Sequence, residues 1–488
     1  MQTDWNILLA TGAFIVALSF FTEYLSRRHL LPRWLCRKLL HIGAVGACAV
    51  LPAWLQELNT LTWLVALAEP LLLYLVITRR LFSEADGRRS WGIALFPIAY
   101  LILLLAYPMQ RWLIILPMMI LALSDASAAI AGHLMAKRYF QLTGDRKSLP
   151  GSLTFALSVP IVSGICLYSF PQWVAALPSN TFTFWLGLCA VALLLATIEA
   201  LGSNGSDNLW TPLGAALLLQ QLVANGTLPT VLWFYLGIVG ALVFIGFTLR
   251  RKSLTLDGAI VAALLGLWVW WFASPMWLLP LLFFFVTSTL LGRLHKTTTA
   301  ATDARHGQAR NYLQVLCNGG VYAALATLLP WSGAFIGLFM LLSMAIATAD
   351  TWSSEVGIYF RWRTFDVLRW RPVPAGLSGG VSVPGTIAGL GGSLAVGFLF
   401  YNSMLFSNLQ LNNFLLITLG GFAGMLLDSL LGAALQARYR HALTNSWSDT
   451  PREHATLYSG YTWMSNDAVN LWSNLLIISL LLLLNGWS

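Results

Sequence analysis

The chain has 488 residues, 58% of them hydrophobic and only 10% charged, with a mean hydropathy of +0.72. Soluble chains are roughly 25% charged and roughly 45–50% apolar, so a soluble globular enzyme, a disordered chain and a fibrous protein are excluded. The net charge is +9, from 28 Lys+Arg against 19 Asp+Glu. Without aromatic-interleaved basic stripes, this excess reads as loop charge that orients a membrane protein, not as a nucleic-acid surface.

A bilayer crossing needs about 20 mostly apolar residues. In chain order the candidate spans are 5–25, 38–55, 60–78, 91–107, 112–136, 151–170, 182–200 and 209–225. The series continues with 229–249, 254–273, 276–292, 313–330, 333–350, 380–401, 413–435 and 467–486, sixteen in all. The first is read as a helix rather than a signal peptide, because Asp4 stands where a basic segment is required and no small-residue cleavage site follows. No Ser/Arg-rich transit segment precedes it, so the expected location is the cell (inner) membrane.

If the N-terminus is non-cytoplasmic and the crossings alternate, the basic clusters at 27–38, 79–89, 137–147, 250–252, 293–310, 361–371 and 438–452 all face the cytoplasm. Only Arg111 lies opposite, so 27 of the 28 Lys/Arg follow the positive-inside rule. The C-terminus is then non-cytoplasmic as well. Long unbroken apolar runs exclude a barrel, whose strands alternate. The expected fold is an all-α polytopic membrane protein of about 16 transmembrane helices. It would form two related bundles, 1–250 and 251–488, joined near Arg250-Arg251-Lys252. Cys36, Cys48, Cys166, Cys189 and Cys317 form no C-x-x-C pair and read as small core hydrophobes.

The chain repeats itself faintly. Asp125 is followed by Gly132 and Asp350 by Gly357, in both cases seven residues on. Ser148-Leu149-Pro150-Gly151-Ser152 and Ser382-Val383-Pro384-Gly385-Thr386 both read S-x-P-G-[ST] and both open a span after a basic loop. Arg37 precedes His41 by four as Arg310 precedes Gln314, and Asp207-Asn208 and Asp467 with Asn470 both stand where a late helix leaves the cytoplasm. Four matches in one order, on one expected membrane side, argue for two related catalytic-type modules.

A glycine-rich turn opening a helix offers backbone N–H groups and a positive dipole end to phosphate. The candidates are the turn 144–152, with Arg146, Lys147, Ser148, Gly151 and Ser152, and the turn 376–386, with Ser378, Gly379, Gly380, Ser382, Gly385 and Thr386. The second turn has no lysine, so Arg310 is the candidate for the missing charge. Acids within spans are expensive and usually functional. Asp125 and Asp428 lie deep, while Asp207, Asp350 and Asp467 sit nearer the cytoplasmic end. Such carboxylates, with substrate phosphates and waters, suit Mg²⁺, and one of them can take the proton of an attacking hydroxyl. Glu23, Glu69 and Asp257 are read as packing residues. Most histidines read as solvated loop residues; His41 is the exception, entering a span in repeat register.

Residues 1–250 resemble the phytol kinase and dolichol kinase family of polyprenol kinases. The resemblance is carried by Arg37-Lys38-Leu39-Leu40-His41, Asp125…Gly132, Lys147-Ser148-Leu149-Pro150-Gly151-Ser152, and Glu199 with Asp207-Asn208. Pro150 stands where phytol kinases more often have an acid, which leaves the alcohol open. Residues from about 250 onward resemble the membrane family that includes phytyl-phosphate kinase. The carriers there are Arg310-Asn311-Tyr312-Leu313-Gln314 with Asn318, Ala349-Asp350-Thr351-Trp352-Ser353-Ser354-Glu355-Val356-Gly357, Ser378-Gly379-Gly380-Val381-Ser382 with Gly385-Thr386, Asp428-Ser429-Leu430-Leu431-Gly432-Ala433, and Asp467 with Asn470.

Together the resemblances imply a fusion that converts a prenol of phytol, geranylgeraniol or farnesol type to its monophosphate and then its diphosphate. CTP would be the donor, Mg²⁺ the cofactor, and both sites would face the cytoplasm. The catalytic acids implied are Asp125, Asp207, Asp350, Glu355 and Asp428, and the metal ligands Asp125, Glu199, Asp207, Asp350, Asp428, Asp467 and Asn470, with base and ligand roles left open among them. Phosphate and nucleotide would meet Arg37, Lys38, His41, Lys147, Ser148, Gly151, Ser152, Asn208, Arg310, Gln314, Asn318, Ser378, Gly379, Gly380, Ser382, Gly385 and Thr386. Three rivals are a lipid or small-molecule transporter or flippase, a CDP-lipid-type nucleotidyltransferase, and a chain whose second module is only structural.

The charge pattern makes a direct prediction. Green fluorescent protein fused after Lys252 is expected to fluoresce, and alkaline phosphatase fused after Pro108 to be active. The reverse pattern of fusion activities overturns the orientation.

Overall fold

The computed structural model describes residues 2–78, 91–170, 180–294, 309–401, 411–442, 447–451 and 453–485. The basic loop 79–89, and residues 295–308 of the loop 293–310, lie outside the described residues, as do 443–446 and 452 of the segment 438–452. The chain forms two compact units, Met1–Tyr235 and Leu236–Ser488. All sixteen apolar windows are helical, as an all-α polytopic membrane protein requires. Among the described residues, thirteen helices are long and apolar enough to cross a bilayer.

The first unit runs α1 (Gln2–Arg27), α2 (Arg33–Trp54), α3 (Asn59–Ile77), α4 (Gly92–Ala106), α5 (Trp112–Met119), a π-helical turn (Ile120–Ser124) and α6 (Asp125–Met135). The hairpin β1 (Phe140–Gln141) and β2 (Arg146–Lys147) leads to α7 (Leu149–Ser169), α8 (Thr181–Leu201) and α9 (Asp207–Asn225). Helix α5, the π turn and α6 form one continuous span at the centre, with 72% of its apolar window buried against 11% for α1 and α3. Arg111, the one basic residue outside the cytoplasmic clusters, donates to the carbonyls of Pro52, Leu55 and Gln56 at 2.7–3.0 Å and so closes the end of α2.

Helix α10 (Leu228–Arg250) contains the junction between the units. Its part beyond Tyr235 packs within the second unit, where Phe244 meets Phe285 and Gly237 faces Trp270. That unit continues with α11 (Leu256–Phe272), a 3-10 turn (Pro275–Trp277), α12 (Leu278–Leu294) and α13 (Tyr312–Phe360). Gly333, with φ 51° and ψ −133°, breaks α13 into spans Tyr312–Gly333 and Phe335–Phe360. Glycine tolerates that left-handed backbone without the Cβ penalty. The second span is the innermost of its unit, again with 72% of its window buried. It runs ten residues past the predicted end at 350, which places Glu355 and Gly357 on the helix rather than in a loop.

The antiparallel sheet β3 (Thr364–Asp366), β4 (Pro372–Val373) and β5 (Gly380–Val381) precedes α14 (Val383–Tyr401). Helix α15 (Leu411–Ala434), a second sheet of β6 (Arg438–His441), β7 (Trp447–Ser448) and β8 (Ala455–Ser459), and α16 (Asn466–Asn485) complete the unit. The small sheets were not expected from sequence, since strands of two to five residues inside polar loops carry too little alternation to register.

The sequence repeat is a repeated helix crossing. A Cβ on Gly132 would lie 2.8 Å from Ser148 Oγ, and one on Gly151 3.0 Å from the Ala128 carbonyl. In the second unit a Cβ on Gly357 would lie 3.1 Å from Ser382 Oγ, and one on Gly385 2.8 Å from the Ser353 carbonyl. Ser148 and Ser382 cap their helices, accepting from the amides of Gly151 and Gly385 at 3.2 and 3.3 Å. The matched contacts keep the same offsets from Asp125 and Asp350, so each central aspartate helix is crossed by its capped helix in the same register.

Forcing a methyl into this crossing should separate the helices. Gly151→Ala and Gly385→Ala are each expected to cost about 1–3 kcal/mol, read as a lower thermal midpoint in detergent. Gly391→Ala, which meets open space within α14, should not lower it.

Candidate functional site

In the first unit the π turn ends at Asp125, and such turns often mark functional positions. The widened turn lets His41 Nε2 reach the Leu121 carbonyl at 3.3 Å while lying 3.5 Å from Asp125 Oδ2. Lys38, three residues before His41 on α2, donates to the same carboxylate oxygen at 2.7 Å. Lys147 comes from β2. The hairpin is clasped onto the turn between α8 and α9, where the Asn204 amide donates to Asp145 Oδ2 and Thr143 Oγ1 donates to the Leu201 carbonyl, both at 2.8 Å. Lys147 is thereby delivered to Glu199, to which it donates, and stands 3.3 Å from Asp207 Oδ2. Burial pulls the Lys147 ammonium pKa down, but the Glu199 and Asp207 carboxylates win and hold it above the usual lysine range.

Asp125, Glu199 and Asp207 offer carboxylate oxygens that all lie within 4.8 Å of one another. Mg²⁺ takes oxygen ligands at about 2.0–2.1 Å, so neighbouring ligand atoms in its shell stand roughly 3–4 Å apart. The trio, spread over at most 4.8 Å, is only slightly wider than such a shell. A set of hard oxygen donors of this kind fits a divalent cation.

In the second unit Asp350 on the inner helix and Asp428 on α15 lie side by side. Ser473 Oγ donates to Asp428 Oδ2 at 3.1 Å, and the Asn470 amide, turned so that both its ends are satisfied, donates to the same oxygen at 3.1 Å. Asp467 heads the same helix, α16. Glu355 is buried and acts on both Asp350 and Arg310. Arg310 donates to Ser288 Oγ at 2.8 Å. Burial lowers its guanidinium pKa and the Glu355 charge opposes that shift.

Several expected phosphate donors already have structural partners. The Ser148 and Ser382 hydroxyls accept from their own helices, and Gly151 and Gly385 serve the crossings. Thr386 Oγ1 donates to the Ser382 carbonyl at 3.0 Å, whereas Ser152 Oγ is buried without a hydrogen-bond partner among the described residues. Gln314 forms a capping box with Asn311 at the start of α13, and Asn318 donates to the Gln314 carbonyl at 2.8 Å. Asn208 ties α9 to the Gly92 carbonyl at 3.1 Å, and Arg37 is exposed. Asp257, read as a packing residue, accepts from the Tyr312 amide at 3.0 Å.

The glycine loop 376–380 also has a packing explanation. Gly379 adopts φ +74°, and a Cβ there would lie 2.5 Å from the Ala433 amide nitrogen. The Ser378 amide donates to Asp449 Oδ2 and the Gly380 amide to the Leu377 carbonyl, both at 3.0 Å. With those donors engaged, positive charge in the two sites comes from Lys38, Lys147 and Arg310. Sequence reasoning missed the buried pair beneath this loop, Asp366 and Arg438. Arg438 Nη1 donates to Asp366 Oδ2 at 2.9 Å across 72 residues of chain, and no local pattern reports such a pairing.

Residues 239–478 match the family described as integral membrane protein DUF92. The chain is 31% identical over 257 residues to protein PGR of Arabidopsis thaliana, covering 46% of this chain and 87% of that protein. It is 29% identical over 225 residues to phytol kinase of Synechocystis, covering 44% and 90%, and 26% identical over 239 residues to chloroplastic protein VTE6 of Arabidopsis thaliana, covering 47% and 65%. No solved structure matches the chain.

The carboxylate trio predicts a selective loss of cation binding. Asp125→Asn, Glu199→Gln and Asp207→Asn are each expected to weaken Mn²⁺ binding, followed by electron paramagnetic resonance, by about tenfold or more. Glu23→Gln, whose exposed carboxylate pairs with Arg27 on α1, should leave it unchanged.

Proposed function

The chain belongs to the integral membrane protein DUF92 family, and on that premise we propose that it is a membrane-embedded phosphotransferase with two consecutive sites. The first unit would phosphorylate an isoprenoid alcohol and the second would phosphorylate the resulting monophosphate. CTP would be the donor, bound from the cytoplasm with Mg²⁺. The observation that carries the reading is the convergence of Asp125, Glu199 and Asp207 with Lys38 and Lys147 beside a crossing that the second unit repeats. The named activity of the phytol kinase relative supports the substrate class.

In the first unit the alcohol oxygen attacks the terminal phosphorus and the bond to the bridging oxygen breaks. A nucleoside diphosphate leaves, and the hydroxyl proton passes to a carboxylate of the trio. Lys147 and Lys38 already sit among these acids and would turn to phosphate oxygens as they arrive, as charge-assisted donors. A metal held by Asp125, Glu199 and Asp207 would neutralise charge on the transferring phosphoryl group. In a low-dielectric setting such preorganised charge contributes more than it would in water.

The second step asks for different residues. A phosphate monoester with a second pKa of about 6 has already lost its proton at neutral pH. It needs charge compensation more than a base. In the repeat register Gln314, which cannot take a proton, stands where the first unit has His41, and a half-buried arginine, Arg310, precedes it. A long isoprenoid chain would reach both sites laterally from the bilayer.

Full-length protein in lipid, given Mg²⁺, γ-labelled CTP and a panel of phytol, farnesol and geranylgeraniol, should form labelled mono- and diphosphates. Asp125→Ala is expected to block the alcohol step, and Asp350→Ala to stall the reaction at the monophosphate. Release of pyrophosphate would instead show nucleotidyl transfer. Absence of transfer from CTP or ATP to any alcohol or prenyl phosphate would overturn the phosphotransferase and leave a transporter as the better reading.

A further inference from the structure

Arg438 stands at the start of β6, outside the spans, yet is only 5% exposed. Its guanidinium spans two segments, with Nη1 donating to Asp366 Oδ2 at 2.9 Å and Nη2 to the Ser378 carbonyl at 2.6 Å. Asp366 is 2% exposed, and its other oxygen accepts from the amides of Leu368 and Arg369 at 3.0 and 2.9 Å. Above this pair the loop meets α15 directly: a Cβ on Gly432 would lie 2.4 Å from Ser378 Oγ, and Gly379 abuts Ala433. Ser378 Oγ also hydrogen-bonds Gln436, just past the end of α15. Asp428 lies one turn before Gly432 on that helix, and the same loop runs on through β5 into the Ser382 cap.

Burying an ion pair is poor value for stability alone, because desolvation offsets the Coulomb gain. A planar guanidinium bridging a carboxylate and a carbonyl does fix distance and angle between them. The first unit clasps its hairpin through Asp145 and Thr143, with no buried arginine among the described residues, and the hairpin itself carries Lys147 into the acid cluster. The residue before the capping serine in the second unit is Val381, so its ribbon brings no such charge to register the loop.

We infer that Arg438 is a positioning residue of the second site: by holding the Ser378 carbonyl against Asp366, it seats loop 376–382 on α15 and so sets the capped start of α14 relative to Asp428 and Asp350. This rests on the reading of the second unit as the prenyl-phosphate transfer site.

Arg438→Lys tests it in the full-length protein in lipid, because a lysine keeps the charge opposite Asp366 but lacks the planar fork that reaches both partners. Arg438→Met serves as the severe variant. Farnesyl phosphate supplied as substrate isolates the second step, and farnesol reports the first. Arg438→Lys should keep a thermal midpoint close to the parent and lose about tenfold or more in kcat for the second transfer. The KM for nucleotide and the first step should be unchanged, and amide exchange across 376–382 should quicken. A second step at the parental rate with unchanged exchange overturns the inference, as does an equal loss in both steps. If the parent transfers nothing to farnesyl phosphate, the functional reading fails by itself. The exchange measurement then still decides: faster exchange confined to 376–382 upholds the seating role, and unchanged exchange removes it.

Discussion

Each unit depends on one close crossing of two helices. A central helix bearing an aspartate meets a helix capped by serine, and the meeting points are glycines with no room for a methyl group. This distance is set by Gly151 against the Ala128 carbonyl and Gly385 against the Ser353 carbonyl, and by Gly132 and Gly357 against the capping hydroxyls of Ser148 and Ser382. It brings the ribbon that precedes each capped helix beside the aspartate. In the first unit that is how Lys147 arrives among Glu199 and Asp207. In the second it is how the loop at 376–382 comes to lie over the end of α15.

Charge placement follows from that geometry. Within a bilayer an isolated carboxylate is costly, and the acids gathered at the two candidate sites occur with partners. Asp125 has Lys38 and His41, while Glu199 and Asp207 share Lys147. Among the described residues the second unit solves the same problem with fewer cations. Asp350 and Asp428 adjoin each other, with Ser473 and Asn470 on Asp428, and Glu355 balances Arg310. The same scaffold thus holds a lysine-rich acid cluster in one copy and a paired-acid cluster in the other.

The extramembrane pieces carry a second difference. Between Glu199 and Asp207 the first unit has a short turn, whereas between Asp428 and Asp467 the second has the β6–β8 sheet. The sheet supplies Arg438. Its pairing with Asp366 holds that carboxyl below the usual carboxylate range despite the burial that pushes it up. What an inserted sheet adds is a rigid connection from one membrane helix to the loop that opens another.

The sequence by itself determined the helices, because a bilayer leaves helix as the only solution for long apolar runs, and sixteen such runs can be counted. It also showed the repeat: intramembrane position marked Asp125 and Asp207 among several acids, the family resemblance added Glu199, and the structure brings these three within 4.8 Å of one another. Tertiary structure alone decided what the glycines do. Gly151, Gly385 and Gly379 look like anion-binding residues in a string of letters, and their positions add a packing role, close helix and loop approaches that the letters do not show. Only the structure could extend the Asp350 helix to Phe360, place the unit junction inside α10, or join Arg438 to Asp366. The physical reason is range. Hydropathy and spacing report on neighbours a few residues apart, whereas the contacts that seat a loop or pair a buried charge span tens of residues and exist only once the chain has folded.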